Sequence, residues 1–203
     1  IAFVADDGDG NSHMQQADML ANMIDTTHSS YNVDKIFFDA YNQVSTPGGQ
    51  RIPDASAALN QRMDKGALIV NYTGHGGEVG WAHERVLEVA DINSWTNYDR
   101  LPVFMTATCE FSRYDDPKMQ SAGELVFLNP NGGGIALFTT ARPTFGTPNF
   151  TLARSFYSIA FDPVNGEMPH LGDLIRLAKL SAGADNNSKK FVLLGDPAMK
   201  MAY

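Results

Sequence analysis

The chain is poor in the features that mark a disulfide scaffold or a nucleic-acid-binding protein. Cys109 is its only cysteine, so no internal disulfide can form and cysteine pairing does not indicate the compartment. The 23 Asp and Glu residues outnumber the 15 Lys and Arg residues, which gives a net charge of −8, and the basic residues are scattered. Because nucleic-acid binding requires a basic patch, this composition argues against a nucleic-acid partner.

Long apolar runs and common metal or nucleotide motifs are also missing. No stretch approaches the ~20 apolar residues of a membrane-spanning helix, so we expect no transmembrane segment in this piece. The histidines show no metal-like spacing, and the pair His75 and His83 is not a zinc motif. The GGG run at 132–134 lacks the preceding strand and the Lys of a P-loop. We therefore expect no metal and no cofactor.

The length and composition fit one domain with one sizeable core. The chain has 203 residues, 43% of them hydrophobic, and no Pro, Gly or Ser tract divides it. We therefore predict a single domain over residues 1–203. The sequence opens directly on the strand-like run IAFVADDGDG, without an initiator Met or a basic leader, which favours a piece of a longer protein.

Strand-like and helix-like segments alternate along the chain. Continuous apolar runs, typical of strands covered on both faces, predict strands at 1–5, 35–39, 67–72, 101–108, 132–140 and from 191 onward, with a second extended run closing the chain. Helical periodicity predicts helices over 13–25, 54–65, 121–129, 149–161 and 171–182. The sum is an open α/β fold, with a mostly parallel sheet and helices on both of its faces.

Two chemically capable side chains follow predicted strands. In open parallel sheets, ligands bind beyond the carboxyl ends of the strands. His75 lies there within the segment TGHGG, and Cys109 lies there within TCEFS. If these two strands are neighbours, the imidazole and the thiol face the same crevice.

A cysteine beside a histidine forms the catalytic dyad that a cysteine peptidase requires. The thiolate attacks a carbonyl carbon, and the imidazole protonates the leaving amine. The backbone N–H groups of Gly76 and Cys109 are candidate oxyanion donors, because glycine lets the substrate approach the main chain. The alternatives are that Cys109 is buried filler and that His75 caps a helix or bonds its own loop.

Three segments resemble the gingipain-type cysteine peptidases: NYTGHGGEVGWAHERVLEVADI (71–92), TATCEFSRYDDP (106–117) with SAGELVFLNPNGGGIALFTTARP (121–143), and the closing FVLLGDPAMKMAY. Within that family they are most similar to the sortases of the type IX secretion system. The resemblance implies a caspase-like three-layer α/β sandwich and a dyad of Cys109 and His75.

The resemblance also implies a biological role. Such enzymes lie at the bacterial cell surface, on the outer membrane, work with other type IX secretion components, and remove the C-terminal secretion signals of cargo proteins. They transfer the cargo to an amine-bearing surface glycolipid. The residues themselves indicate only the acyl-enzyme step, so the rival hypothesis is a non-enzymatic α/β module that binds a peptide in the same crevice.

A third catalytic member is expected in the loop after the first strand, since in gingipains an acidic residue of that loop helps to position the histidine. The loop ADDGDGN offers Asp6, Asp7 and Asp9, of which we favour Asp6 or Asp7 without separating them. The alternative is a solvated acidic turn that precedes a helix capped by Ser12.

The same loop weakly matches a calcium site. Asp7, Asp9, Asn11 and Asp18 match positions 1, 3, 5 and 12 of an EF-hand loop, but the Gly of the sixth position is missing. Calcium is therefore only a weak alternative to the expectation of no cofactor.

Four further residues are candidates for substrate binding. Glu78 and Trp81 follow the histidine, Glu110 follows the cysteine, and Arg142 follows a predicted strand. Trp81 equally fits a role in packing the turn, and Arg142 equally fits an ordinary surface position.

Overall fold

A computed structural model of the chain describes residues 1–163 and 166–203. Its strands, in chain order, are β1 Ala2–Ala5, β2 Asp34–Phe37, β3 Val44–Thr46, β4 Gly49–Arg51, β5 Ile69–Thr73, β6 Gly76–Gly77, β7 Gly80–Trp81, β8 Leu87–Glu88, β9 Val103–Ala107, β10 Ala136–Thr140 and β11 Phe191–Leu194. The helices are α1 Gly8–Thr27, α2 Pro53–Lys65, α3 Val89–Ser94, α4 Ala122–Leu128, α5 Gly146–Ala160 and α6 Leu171–Ser181, with 3₁₀ turns at Phe38–Ala40 and Ser188–Lys190.

The main sheet of the described residues has six strands in the order β11-β10-β9-β5-β1-β2. Every neighbouring pair is parallel except β10 and β11, which are antiparallel. The four central strands, β1, β5, β9 and β10, are buried along their whole length. This confirms the predicted α/β fold with a mostly parallel sheet, because continuous apolar runs suit strands that are covered on both faces.

Helices cover both faces of this sheet and create two cores. On one face, Leu20 of α1, Leu152 of α5 and Leu174 of α6 pack against the sheet. On the other face, Leu59 of α2 and Val126 of α4 do the same, together with α3. Among the described residues, no helix is both long and apolar enough to cross a membrane.

The start of α1 differs from the prediction. Asp9, Gly10 and Asn11 have positive φ values of 53°, 63° and 64°, so a left-handed turn precedes the regular helix. Gly, Asp and Asn are the residues that tolerate this conformation best. The turn matters for function because it lies directly beyond the carboxyl end of β1.

Two other expectations are corrected by the structure, and further elements are added to those predicted. The predicted strand 132–140 begins only at Ala136, since Gly133 has a φ of 94° in a turn. The predicted second extended run near the C-terminus forms no strand and makes a single bridge between His170 and Lys200. The hairpin β3-β4, the small sheet β6-β7-β8 and helix α3 are additional elements.

Candidate active site

The strand register places His75 and Cys109 at equivalent positions beyond two neighbouring strands. Neighbouring strands β5 and β9 pair Thr73 with Ala107 at their carboxyl ends, and both candidate residues lie two positions beyond that pair. Gly74 N–H continues the pairing by donating to Ala107 O at 3.3 Å. The predicted neighbouring of the two strands is therefore confirmed.

A buried carboxylate fixes the main chain at His75. Asp6 is 2% exposed, and its Oδ2 accepts the backbone N–H of His75 at 2.8 Å while its Oδ1 accepts that of Gly8, also at 2.8 Å. The Tyr72 hydroxyl donates to His75 O at 2.6 Å. The loop that carries the imidazole is thus tied to β1 and to β5.

The carboxylate nearest the imidazole ring is that of Asp9. His75 Nε2 lies 3.5 Å from Asp9 Oδ1. The His75 ring also meets the ring of His13 edge-on, with centroids 5.1 Å apart, and that of His83 at 5.4 Å. Gly8 lies against the same ring, because a Cβ there would be 3.0 Å from His75 Cδ2. Asp6 therefore contacts the backbone of His75, and Asp9 contacts its side chain.

Asp7, the other favoured acidic residue, points to a different neighbourhood. Its carboxylate gathers with those of Asp6 and Glu84. Burial is the main reason that the pKa of Asp7 is raised, and the nearby charges of Asp6 and Asp39 raise it further. Of the two residues favoured to position the histidine, Asp6 contacts the His75 backbone, whereas Asp7 lies with Asp6 and Glu84.

The Cys109 thiol is held by the loop that follows β10. Thr144 N–H donates to Cys109 Sγ at 3.4 Å, and the Cys109 thiol in turn donates to Thr144 O at 3.6 Å. The next residue, Glu110, has a φ of 50°, so the chain turns sharply directly after the cysteine. The thiol is half-buried, and its described hydrogen-bond partner is Thr144 and not His75.

Gly76 is required by its neighbours and not by its φ. A Cβ at this position would lie 2.6 Å from Thr108 Oγ1 and 3.0 Å from Gly80 O. Ala82 N–H donates to His75 O at 2.9 Å, which makes His75 and Ala82 a hydrogen-bonded pair of the hairpin. In an antiparallel ladder the next residue, Gly76, directs its N–H away from the partner strand. That N–H is therefore available to a ligand.

Three of the four predicted substrate-binding residues lie in ion pairs or close to one: Glu78, Glu110 and Arg142. Arg113 Nη1 donates to Glu78 Oε1 at 2.6 Å and lies 3.5 Å from Glu110 Oε1. Arg142 holds the Asp115 carboxylate with both terminal nitrogens, one of them at 2.9 Å. These pairs join the turn between β6 and β7 to the loop after β9, and that loop to the loop after β10.

Of the two roles that the sequence left open for Trp81, its contacts fit packing of the turn. Its side chain is 0% exposed, and its ring stacks on Tyr72 with centroids 4.2 Å apart and planes 4° from parallel. The ring packs the turn because the hairpin β6-β7 folds back over the sheet and buries it. The open cleft of about 770 Å³ beside His75 is lined by Trp81 together with exposed Val79, His83 and Arg85.

One residue of this neighbourhood, His13, was missed by the sequence analysis. His13 is 7% exposed, and neither of its ring nitrogens has a hydrogen-bond partner, although Nε2 lies 3.3 Å from Asp9 Oδ2. Burial lowers the pKa of His13. Asp9, His13 and His75 bring their ligand atoms within 4.8 Å of one another. The available signal was that His13, the first residue of the predicted helix 13–25, follows the acidic loop beyond β1.

The residues of the weak calcium alternative do not lie together in the structure. Asp7 gathers with Asp6 and Glu84, whereas Asp9 gathers with the two histidines. Asp18 lies in α1 and accepts from Lys35 Nζ at 2.7 Å. The left-handed turn separates these side chains, because it directs Asp9 toward the ring of His75.

Known proteins with this fold were compared with the chain. It superposes on the "Crystal structure of the Arg specific cysteine proteinase gingipain R (RGPB)" with a TM-score of 0.75 and 17% identity, over 98% of this chain and 46% of that one. It also superposes on the "Complex of Porphyromonas gingivalis RgpB pro- and mature domains" with a TM-score of 0.69 and 16% identity, over 98% and 48% of the two chains. The chain therefore spans about half the length of the solved structures that it matches.

A further solved structure, described as "Structure of Protease", matches with a TM-score of 0.74 and 16% identity, over 98% of this chain and 48% of that one. No curated protein matches the chain. The mostly parallel sheet flanked by helices, with a histidine and a cysteine at neighbouring strand ends, defines the caspase-like class of α/β folds that gingipains share. The chain belongs to peptidase family C25, whose family model matches residues 1–202.

Proposed function

We propose that this chain is the catalytic unit of a cysteine endopeptidase, with Cys109 as nucleophile and His75 as acid and base. The observation that carries the proposal is the register of β5 and β9, which sets both residues two positions beyond the paired Thr73 and Ala107. Membership of peptidase family C25 supports the same chemistry. Two rigid neighbouring strands restrict the motion of the reacting groups, which lowers the entropic part of the barrier.

The first chemical step forms a thioester. Cys109 Sγ gives its proton to His75 and attacks the scissile carbonyl carbon, so that a C–S bond forms and the carbonyl oxygen becomes an oxyanion. His75 then donates that proton to the leaving amine, and the C–N bond breaks. In the second step His75 accepts a proton from an incoming water or amine, which attacks the thioester. The C–S bond breaks, and His75 returns the proton to Cys109 Sγ.

Backbone groups assist both steps. Thr144 N–H already donates to Cys109 Sγ, and this bond persists on a thiolate. The free N–H of Gly76, together with that of Cys109, supplies donors for the oxyanion, in the role that such preorganised groups have in acyl transfer. Asp6 is a positioning residue that acts through the His75 backbone, and Asp9 is the charged neighbour of the ring.

The test of the dyad uses three variants of the chain. Cys109→Ala and His75→Ala should each reduce the cleavage rate by roughly 10³-fold or more, and the double variant should be scarcely worse, because the two groups act as a unit. His28→Ala is the matched control, since His28 is remote in α1's C-terminal cap. A thiol-reactive peptidyl probe should label Cys109 in the control. Substantial cleavage by Cys109→Ala would disprove the assignment.

A finer proposal concerns the biological role. The segments around His75 and Cys109 are similar to PorU, the sortase of the type IX secretion system. On that resemblance we propose that the chain acts at the outer face of the bacterial outer membrane with other type IX components, cleaves C-terminal secretion signals from cargo proteins and transfers the cargo to an amine-bearing glycolipid. The chemistry permits this, because the thioester reacts with an amine as readily as with water when the amine is bound nearby.

Mass spectrometry distinguishes transfer from hydrolysis. The full-length enzyme is incubated with a peptide that carries a cargo C-terminal signal and with increasing amounts of a soluble amine or the native glycolipid. A sortase gives a product heavier by the acceptor, in a share that rises with acceptor concentration. Hydrolysed peptide alone, at every concentration, leaves an endopeptidase and removes the sortase role.

A non-enzymatic peptide-binding module is the second candidate function. The observation that favours it is the pairing of Cys109 Sγ with Thr144 and not with His75. Such a module binds cargo peptides equally well as wild type and as Cys109→Ala, and neither form cleaves them. Cleavage by wild type alone excludes it.

A further inference from the structure

We propose that Asp9, His13 and His75 form an inhibitory site for a divalent transition-metal ion of the zinc type. The inhibitory part of this proposal rests on the proposed function, in which His75 transfers protons. The metal site itself stands on the geometry of the three side chains alone.

The separations of the ligand atoms fit a tetrahedral ion. Asp9 Oδ1 lies 3.5 Å from His75 Nε2, and Asp9 Oδ2 lies 3.3 Å from His13 Nε2. An ion with bonds of about 2.0–2.1 Å to nitrogen and oxygen has ligand atoms about 3.4 Å apart at the tetrahedral angle. The ligand atoms of the three residues all lie within 4.8 Å of one another, so one ion at bonding distance from all three requires side-chain movements of up to about 1.4 Å. A water molecule or a substrate group completes the fourth position.

His13 supplies an independent observation in favour of a ligand. Its side chain is 9% exposed, and both of its ring nitrogens lack a hydrogen-bond partner. Buried polar atoms in folded proteins nearly always have a partner, since an unpaired one costs about 1–3 kcal/mol. The Nε2 atom faces Asp9 and the edge of the His75 ring, so a metal ion at this point satisfies it.

The donor set selects the kind of ion. Two imidazole nitrogens and one carboxylate suit zinc and its neighbours in the first transition row, whereas calcium and magnesium prefer sets made wholly of oxygen. Burial lowers the pKa of His13, which keeps its imidazole neutral and able to bind a metal at neutral pH. The left-handed backbone of Asp9 directs its carboxylate between the two rings.

Occupancy of the site stops proton transfer by His75. With an ion on Nε2, the other ring nitrogen carries the remaining proton, and the imidazole has no free lone pair with which to accept one. The ion therefore inhibits reversibly without contacting Cys109. An enzyme that meets zinc in one compartment and loses it in another is thereby switched.

Metal binding is measured first on Cys109→Ala, which removes the thiol as a competing ligand. Calorimetry with zinc chloride should give one ion per chain, and cobalt(II) should produce the visible absorption of a tetrahedral centre. Since even groups that merely support a metal ligand are worth 10–100-fold in affinity, adding Asp9→Asn or His13→Gln should weaken binding by roughly tenfold or more. Asp9→Asn keeps the left-handed turn, because Asn tolerates it, so this variant remains informative if His13→Gln fails to fold.

Asp18→Asn is the matched control, because Asp18 lies in the same helix but pairs with Lys35. It should bind zinc like its parent. Absence of zinc binding by folded Cys109→Ala, or equal binding by Asp9→Asn and Asp18→Asn, overturns the metal site. These measurements need no peptidase activity, so they stand or fall separately from the proposed function.

Inhibition is measured on enzyme with Cys109 intact. Zinc should inhibit cleavage, a chelator should restore it, and Asp9→Asn should require roughly tenfold more zinc for the same fractional inhibition. Equal zinc sensitivity of Asp9→Asn and Asp18→Asn shows that the ion acts elsewhere, for example on the thiol, and overturns the inhibitory role.

Discussion

The carboxylate of Asp6 binds the backbone N–H of His75, at 2.8 Å, and not its imidazole. Its second oxygen binds Gly8 N–H, so one buried side chain joins the loop beyond β1 to the loop beyond β5. The carboxylate beside ring nitrogen Nε2 is that of Asp9, in the left-handed turn that follows β1. Asp6 thus holds the backbone of His75, and Asp9 adjoins its ring, whereas the sequence analysis expected one acidic residue to position the histidine.

We predict that Asp6→Asn lowers both stability and activity. The amide of Asn has one acceptor oxygen where the carboxylate has two, so its NH₂ group must face the N–H of His75 or of Gly8. An unsatisfied buried donor costs about 1–3 kcal/mol. Denaturant unfolding measures this loss, and kcat should fall because the imidazole loses its fixed position.

Asp7→Asn is the control for Asp6→Asn, because it adjoins Asp6 and its raised pKa reports unfavourable burial and neighbouring negative charge. It should leave stability unchanged or slightly higher. If the two variants have equal stability and equal activity, Asp6 does not position the loop.

A second prediction compares two adjacent glycines. Gly76→Ala places a Cβ 2.6 Å from Thr108 Oγ1, whereas Gly77→Ala meets nothing within 4 Å. Displacement of the Gly76 N–H should reduce kcat/KM on the order of 10²-fold, and the KM for a good peptide substrate should change less. Gly77→Ala should cleave nearly normally. Comparable rates for the two variants would falsify the oxyanion role of Gly76.

A third prediction concerns the turn after the cysteine. Glu110 has a φ of 50°, a conformation that is worst for β-branched residues and costs glycine nothing. Glu110→Val should lower the free energy of unfolding by about 1–2 kcal/mol, whereas Glu110→Gly should keep it or raise it by up to about 1 kcal/mol. Thermal or denaturant unfolding of both variants checks this. The opposite order would show that the Glu110 side chain, through Arg113, stabilises the turn more than its backbone strains it.

The central part of the fold was predictable because its signal is local. Burial on both faces requires continuous apolar runs, and the segments at β1, β5 and β9 are such runs. The positions of His75 and Cys109 then follow from the rule that ligands bind beyond parallel strands. Helix bounds fell within a few residues of the structure, except at the start of α1.

What the sequence did not reveal depends on contacts between distant segments. Asp9, Gly10 and Asn11 have positive φ values, and the only sequence signal for this turn is that Gly, Asp and Asn tolerate such a conformation. The meeting of His13 with His75 joins positions 62 residues apart, and no short-range spacing encodes it. The sequence indicated Trp81 as a candidate cleft residue because it is a large aromatic near the histidine. The hairpin buries its side chain, which stacks on Tyr72.

The last prediction is that mild acidification destabilises the protein because of the lowered pKa of His13. Burial lowers the pKa of this residue below its ordinary 6.5, an effect opposed by the charges of Asp6 and Asp9 and assisted by that of His75. Below pH 6.5 the unfolded chain therefore binds a proton that the folded chain refuses. The stabilisation is fully present above pH 6.5 and is lost as the pH falls from there toward the folded pKa, by at most about 1.4 kcal/mol per pH unit.

Unfolding free energies measured between about pH 5 and pH 7, for wild type and His13→Gln, test this origin. The variant should show a flatter pH dependence over the window, because glutamine does not titrate, whatever its absolute stability. His28→Gln is the control and should keep the slope of wild type. The raised pKa of Asp7 acts with the opposite sign, because protonation of this carboxyl favours the folded chain, so Asp7 does not cause a loss of stability on acidification. An unchanged slope in His13→Gln would assign the acid sensitivity to other groups.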